Sequence, residues 1–240
     1  MLSDDSGIIV AHAKIEDLEG SAKNCLSVSE LRRAEGFRLP RRRQEFLGGR
    51  VLLRCLLERL TGRACSSHEI VTADNGKPVC VEGPAISIAH SDDTIVCATT
   101  GDGAIGIDVE LPPGPRDAGK IAERFFAEEE AAWIAEDPDE RFLMLWVIKE
   151  AWLKATGSGI PGGLDSLRCA VRPPDIEARV RGDQAARLSV YRRRNAFIGL
   201  ATTVTSHESL TAYRWAPRAD ELVDDATLRR VAATPTRAPD

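Results

Sequence analysis

The sequence predicts an α+β fold in which one chain carries two similar halves. Three observations lead there. Strand-length and helix-length patterns come in mixed order, which suits helices packed on mainly antiparallel sheets. A helix-length run ending Leu60-Thr61-Gly62 is matched by one ending Ala155-Thr156-Gly157. A strand pair, Ile86-Ser87-Ile88 with Ile95 to Thr100, is matched by Leu188-Ser189-Val190 with Ile198 to Thr203, displaced like the helices by about one hundred residues. Two long copies are too few for a solenoid. The expected division is 1–103, then 104–217, with 218–240 as a partly disordered tail.

In the first half, Gly7 to Ala11 reads as a strand. Ser27 or Ser29 caps a helix with Glu30 in its first turn, running through Leu31 to Phe37, and Pro40 ends it. A longer helix covers about Arg43 to Leu60 and closes at Gly62. Short strands follow near 78–82, 85–89 and 94–99. In the second half, 104–110 is a strand broken by Pro112-Pro113, and helices span roughly 117–126, 128–135 and 139–156. After the glycine-rich turn of Gly157 to Gly163, strands fall near 168–172, 187–191, 196–204 and 210–215.

Composition excludes several classes. The chain of 240 residues is 43% hydrophobic and 29% charged, ordinary for a globular protein, with a net charge of −5. That balance argues against general nucleic-acid binding, which leaves a basic footprint. No charge-free apolar run is long enough to span a bilayer. The acidic start Met1-Leu2-Ser3-Asp4-Asp5 is unlike a signal peptide. The six cysteines, Cys25, Cys55, Cys65, Cys80, Cys97 and Cys169, form no C-x-x-C pair and read as reduced thiols of a cytoplasmic protein. With the four histidines lacking H-E-x-x-H spacing, a zinc site is not expected.

The chemistry concentrates in two segments. Ile105-Gly106-Ile107-Asp108-Val109-Glu110 is a strand whose two carboxylates, at i and i+2, share a face. They suit a hard cation such as Mg²⁺, which takes one or two carboxylates plus substrate phosphates; equally, they suit a strand end in water. Glu128, Glu129 and Glu130 offer a third ligand. The run Phe142 to Thr156 is apolar on nearly every side yet carries Lys149, Glu150 and Lys154. Glu150 and Lys154 lie one turn apart on one face, with Lys149 about 100° away. They read either as a general base beside phosphate-binding lysines or as an ion pair on a helix rim.

Gly106-Ile107-Asp108-Val109-Glu110 followed by Trp146-Val147-Ile148-Lys149-Glu150-Ala151-Trp152-Leu153-Lys154 resembles the two signatures of the 4′-phosphopantetheinyl transferases. Leu31 to Phe37, Arg50 to Arg54, Asn75-Gly76-Lys77-Pro78, Ser87-Ile88-Ala89-His90-Ser91 and Phe125 to Glu130 match further segments in order, so the resemblance covers about residues 8–215. Length and duplication look like the larger, monomeric class that activates peptide and polyketide synthetases, whose chain is a pseudo-dimer.

The resemblance implies a cytoplasmic, Mg²⁺-dependent transfer of the 4′-phosphopantetheine arm of coenzyme A to a serine of an apo carrier protein. Asp108, Glu110 and Glu130 would hold the metal. Glu150, Lys154 and Lys149 would be catalytic. Lys77, Pro78, His90, Ser91, Arg43, Arg50, Lys149 and Lys154 would bind coenzyme A. The carrier would meet Arg41 to Arg43 and the 112–130 segment. One departure is Ala89, where the family usually has a serine. The other classes in play are a metal-dependent phosphohydrolase of coenzyme A and a silent carrier-protein or nucleotide binder.

Overall fold

Two large sheets, each backed by one long helix, organise the described residues. The computed structural model describes residues 7–19, 25–115, 117–159, 163–181, 185–203 and 209–235. The chain divides into two compact units: residues 1–102 with 208–226, and residues 103–207 with 227–240.

In unit 1, α1 (Val28–Glu35) opens on Ser27, whose Oγ accepts from the Glu30 N–H while Glu30 Oε2 accepts from the Ser27 N–H. This reciprocal cap selects Ser27 over Ser29 as the start. Pro40 does not end that helix. It opens α2 (Pro40–Thr61), because a proline in the first turn gives up a hydrogen bond that no helix would make there. α2 closes on Gly62 in the left-handed region, as expected. The helix packs against a sheet formed by β1 (Ile8–Lys14), β4 (Ala85–Ser91), β5 (Thr94–Thr100), β11 (Leu210–Ala216) and β12 (Glu221–Asp224), in the order β12-β11-β1-β5-β4. β2 (Ile70–Thr72) and β3 (Pro78–Cys80) form a separate two-stranded ribbon.

In unit 2, α3 (Ala118–Phe125), α4 (Glu128–Ala135) and α5 (Pro138–Thr156) accompany a six-stranded sheet. The sheet contains β6 (Ile105–Glu110), β7 (Leu167–Arg172), β8 (Asp175–Val180), β9 (Arg187–Arg193), β10 (Ala196–Thr202) and β13 (Arg229–Ala233), ordered β6-β10-β9-β13-β8-β7. The apolar sides of α5, including Leu145, Val147, Ile148, Ala151 and Trp152, are buried in the core of this unit. Together the units form the expected α+β pseudo-dimer, in which β1-β5-β4 on α2 repeats as β6-β10-β9 on α5.

The structure corrects three further expectations. Residues 210–216 are expected in the second half, but β11 pairs with β1 in unit 1. The expected tail is woven in: β12 pairs with β11, and β13 with β9 and β8. Ala233 belongs to β13, and residues 236–240 of the expected disordered end lie outside the described residues. Alternating hydrophobicity identifies a strand without naming its neighbour, so these pairings were not legible. Finally, Cys25 and Cys65, forty positions apart, are joined by a disulfide, so not all six thiols are reduced. The fold brings α1's approach next to the 3₁₀ turn Cys65–Ser67, and no local spacing announces it.

Candidate active site

The strand and helix singled out from sequence meet in unit 2. β6 lies under α5 because both backbones can approach closely. A Cβ added to Gly106 would sit 1.9 Å from the Ala151 carbonyl oxygen, so this position has room for glycine alone. On that strand Asp108 is 6% exposed. Lys154 Nζ donates to Asp108 Oδ1 at 2.6 Å, with about a third of the lysine side chain in solvent. Glu150 lies one turn before Lys154. Its carboxyl is pushed up from the ordinary range, first by burial, then by the negative charges of Asp108 and Glu110, with Lys154 pulling the other way. Glu150 Oε1 is buried without a hydrogen-bond partner.

The charges of Asp108 and Glu110 both reach Glu150. A divalent cation would neutralise grouped carboxylates, and Asp108 and Glu110 are hard oxygen donors of the kind it prefers. Among the described residues, no three His, Cys, Asp or Glu side chains form a group that could hold a metal by themselves. Two carboxylates plus substrate oxygens is the arrangement usual for Mg²⁺.

Glu130, expected as a metal ligand, and Lys149, expected to be catalytic and to bind coenzyme A, pair with each other. Glu130 is 3% exposed. Its Oε2 accepts from the Ala127 N–H at 2.9 Å and lies 2.9 Å from Lys149 Nζ, and its Oε1 accepts from the Cys169 N–H at 2.7 Å. Lys149, 1% exposed, also donates to the carbonyls of Leu164 at 2.8 Å and Leu167 at 2.5 Å. An ammonium has three protons, and all three are used. The pair ties the start of α4 and the 3₁₀ turn Leu164–Ser166 to α5. Ala127 has no side-chain oxygen to cap α4, so Glu130 supplies only the other half of a capping box, accepting from the Ala127 N–H.

The predicted coenzyme A residues of unit 1 divide. Arg50, Pro78 and His90 line a cavity of about 280 Å³, while Lys77, Ser91 and Arg43 are not among its lining residues. Lys77 lies between the lining residues Gly76 and Pro78, and burial lowers its ammonium pKa. Ser91 ends β4, and Arg43 is on the exposed first turn of α2. The wall also includes Arg42, from the basic run already singled out, and Arg33, Phe37 and Phe46, which the sequence reading missed. The guanidinium groups of Arg33 and Arg50 each stand 5.4 Å from the Phe46 ring centre, and Phe37 is 5.4 Å from it. Glu45 is held by Arg41 at 3.2 Å and Arg42 at 3.1 Å, with His90 at 3.7 Å. Three arginines line the cavity beside the carboxylate of Glu45, with Arg50 also 3.7 Å from Glu30, an arrangement suited to an anion beside a flat ring. The stripe Arg42, Phe46, Arg50 at four-residue spacing was a legible signal for it.

A duplicated α+β chain with these parts has what an enzyme acting on a phosphate ester requires. Comparison with known proteins narrows the class. Residues 104–203 match the family model of the 4′-phosphopantetheinyl transferase superfamily, and residues 38–100 match that of the 4′-phosphopantetheinyl transferase N-terminal domain. The chain is similar to the 4′-phosphopantetheinyl transferase HetI of Nostoc, with 32% identity across 68% of this chain and 70% of that protein. It is 35% identical to the 4′-phosphopantetheinyl transferase psf-1 of Bacillus pumilus, across 70% and 75%. Identity to the 4′-phosphopantetheinyl transferase Sfp of Bacillus subtilis is 34%, across 50% and 54%. The chain belongs to the 4′-phosphopantetheinyl transferase superfamily, and to its Sfp-like type. Among the described residues, no helix is long and apolar enough to cross a membrane.

Proposed function

We propose that this chain transfers the 4′-phosphopantetheine arm of coenzyme A to a serine hydroxyl of an apo carrier protein. The serine oxygen forms a new bond to the phosphorus that carries the arm. The bond from that phosphorus to the bridging oxygen breaks, and adenosine 3′,5′-bisphosphate leaves with the bond's electrons. The observation that carries this reading is the meeting of Glu150 and Lys154 with Asp108, Lys154 Nζ being 2.6 Å from Asp108 Oδ1.

Each group has a role matched to its chemistry. Glu150, a carboxylate raised in pKa by burial and like charge, takes the serine proton, directly or through a water. Lys154 stabilises negative charge on the leaving oxygen as a point charge. Asp108 and Glu110 would hold a Mg²⁺ ion, which when bound neutralises charge on the diphosphate. Arg33, Arg42, Arg50 and His90 receive the anionic nucleotide end in the cavity of unit 1, with Phe46 offering its ring to the base. Lys77 stands in the turn beside that cavity. The carrier, acidic in this reading, docks on the basic run Arg41 to Arg43 and on the 112–130 segment, where Phe125 is exposed with the Arg124 guanidinium over its ring. The enzyme works as a cytoplasmic monomer.

The test is direct. Incubation with coenzyme A, Mg²⁺ and an apo carrier is expected to add about 340 Da to the carrier, the mass of the arm, read by mass spectrometry. Release of the arm into solution with the carrier unmodified would refute transfer in favour of hydrolysis. No reaction with any apo acyl or peptidyl carrier would refute the assignment altogether.

A further inference from the structure

We propose that Gly199 is a positioning residue for the transfer reaction, setting the distance between the helix that bears Glu150 and Lys154 and the strand that bears Asp108. The inference rests on the proposed transferase chemistry. Gly199 is the residue of β10 directly opposite Asp108 of β6 in the antiparallel register. It also lies beneath α5. A Cβ built on Gly199 would stand 2.2 Å from the Val147 carbonyl oxygen, 2.4 Å from its carbon and 2.9 Å from the Ile148 nitrogen. All three are backbone atoms, so no rotamer change relieves the clash.

Ordinary carbon–oxygen contacts are about 3.3–3.6 Å, so an alanine would lift this part of α5 by about 1 Å. The lift falls one helical turn before Glu150 and two before Lys154, on an element that presses on β6 and β10. Asp108 is anchored in the sheet, whereas Glu150 and Lys154 ride on the helix. The substitution therefore opens the one gap that the chemistry needs closed. Gly199 touches neither substrate nor metal in this account, and acts through the backbone of α5.

The experiment compares the parent with Gly199→Ala and with a control, Gly48→Ala. The control's added Cβ would meet only side-chain ends, Ile95 Cδ1 at 2.7 Å and Leu18 Cδ1 at 3.4 Å, in the core of unit 1. Carrier loading is measured across coenzyme A concentrations, and each lysine's rate of reductive methylation is read by mass spectrometry, with Lys14 and Lys120 as internal references. Gly199→Ala is expected to lower kcat about 10²-fold, the cost that misplacement by about 1 Å can carry. Its KM for coenzyme A stays within about threefold, and Lys154, pulled off Asp108, is methylated faster than in the parent. Gly48→Ala is expected to lose melting temperature but keep kcat and the Lys154 rate.

A folded Gly199→Ala with kcat within threefold of the parent, or with an unchanged Lys154 rate, overturns the proposal. A variant that stays unfolded even in trimethylamine N-oxide, which favours the compact state, assigns Gly199 to folding alone and overturns it too. Failure of the parent to load any carrier would instead refute the transferase reading, while the methylation comparison would still decide whether Gly199 sets the gap.

Discussion

Units 1 and 2 share one internal fastening and differ in what is built on it. In unit 1, Glu30 of α1 accepts from its N-cap amide and from Arg54 Nε at 2.9 Å, and Arg54 donates to the carbonyls of Cys65 and His68 beyond its own helix. In unit 2, Glu130 and Lys149 repeat the pattern, with Leu164 and Leu167 supplying the carbonyls. Arg54 and Lys149 are the residues that align when the two long helices are matched from their ends. What differs is the strand. Matching Ile95 to Thr100 with Ile198 to Thr203 sets His12 and Lys14 of β1 where β6 has Asp108 and Glu110. His12 is buried on Asp225 at 2.6 Å, and Lys14 bonds Asp93 at the surface. The duplicated fastening belongs to folding, and the chemistry follows the acids that only one copy carries.

The comparison can be broken at several points. The largest effect is expected at Glu150→Gln, which should cut carrier loading roughly 10²–10⁴-fold with coenzyme A binding retained. The same change should raise the melting temperature at neutral pH without added metal. An acid whose folded pKa exceeds its unfolded value binds more protons when folded, so its ionisation costs stability as pH climbs from the unfolded to the folded value. The gain in melting temperature should therefore shrink as pH falls below that window; a gain constant with pH would show that ionisation of Glu150 is not its source.

Next, Asp108→Ala should lower loading roughly 10²–10³-fold in Mg²⁺, the scale for removing a group that supports transition-state charge. Its counterpart His12→Ala should leave the rate per folded molecule unchanged and lower stability instead, by about 1–3 kcal/mol for a buried hydrogen bond lost. Unfolding in urea alongside loading assays separates the two. A His12→Ala variant that is stable but slow would end this division of labour between the two strands.

Third, Lys149→Ala should destabilise by about 3–5 kcal/mol, because Glu130 is left buried and charged. Pairing Lys149→Met with Glu130→Gln should recover much of that in denaturant titrations. Lys154→Ala, half-buried at the edge of the site, should slow loading more than it lowers stability. Reversal of this order would return Lys149 to the reaction. The smallest effect is expected at Lys14→Ala, an exposed ion pair whose loss should leave melting and rate within error.

The sequence by itself determined the α+β class, the duplication, both long helices with their glycine ends, and the spots where Asp108, Glu110, Glu150 and Lys154 fall. These follow from periodicity and capping, which are local: side chains two apart share a strand face, and those four apart share a helix face. Tertiary structure alone decided which charged groups meet. Glu130 and Lys149 meet as a buried pair, and the cavity wall needed α1 brought beside α2 and the Gly76–Pro78 turn. It also decided that Cys25 bonds Cys65 and that β11, β12 and β13 return to both sheets. Local patterns record which face of an element is apolar, whereas the partner on that face is selected by packing between segments far apart in the chain.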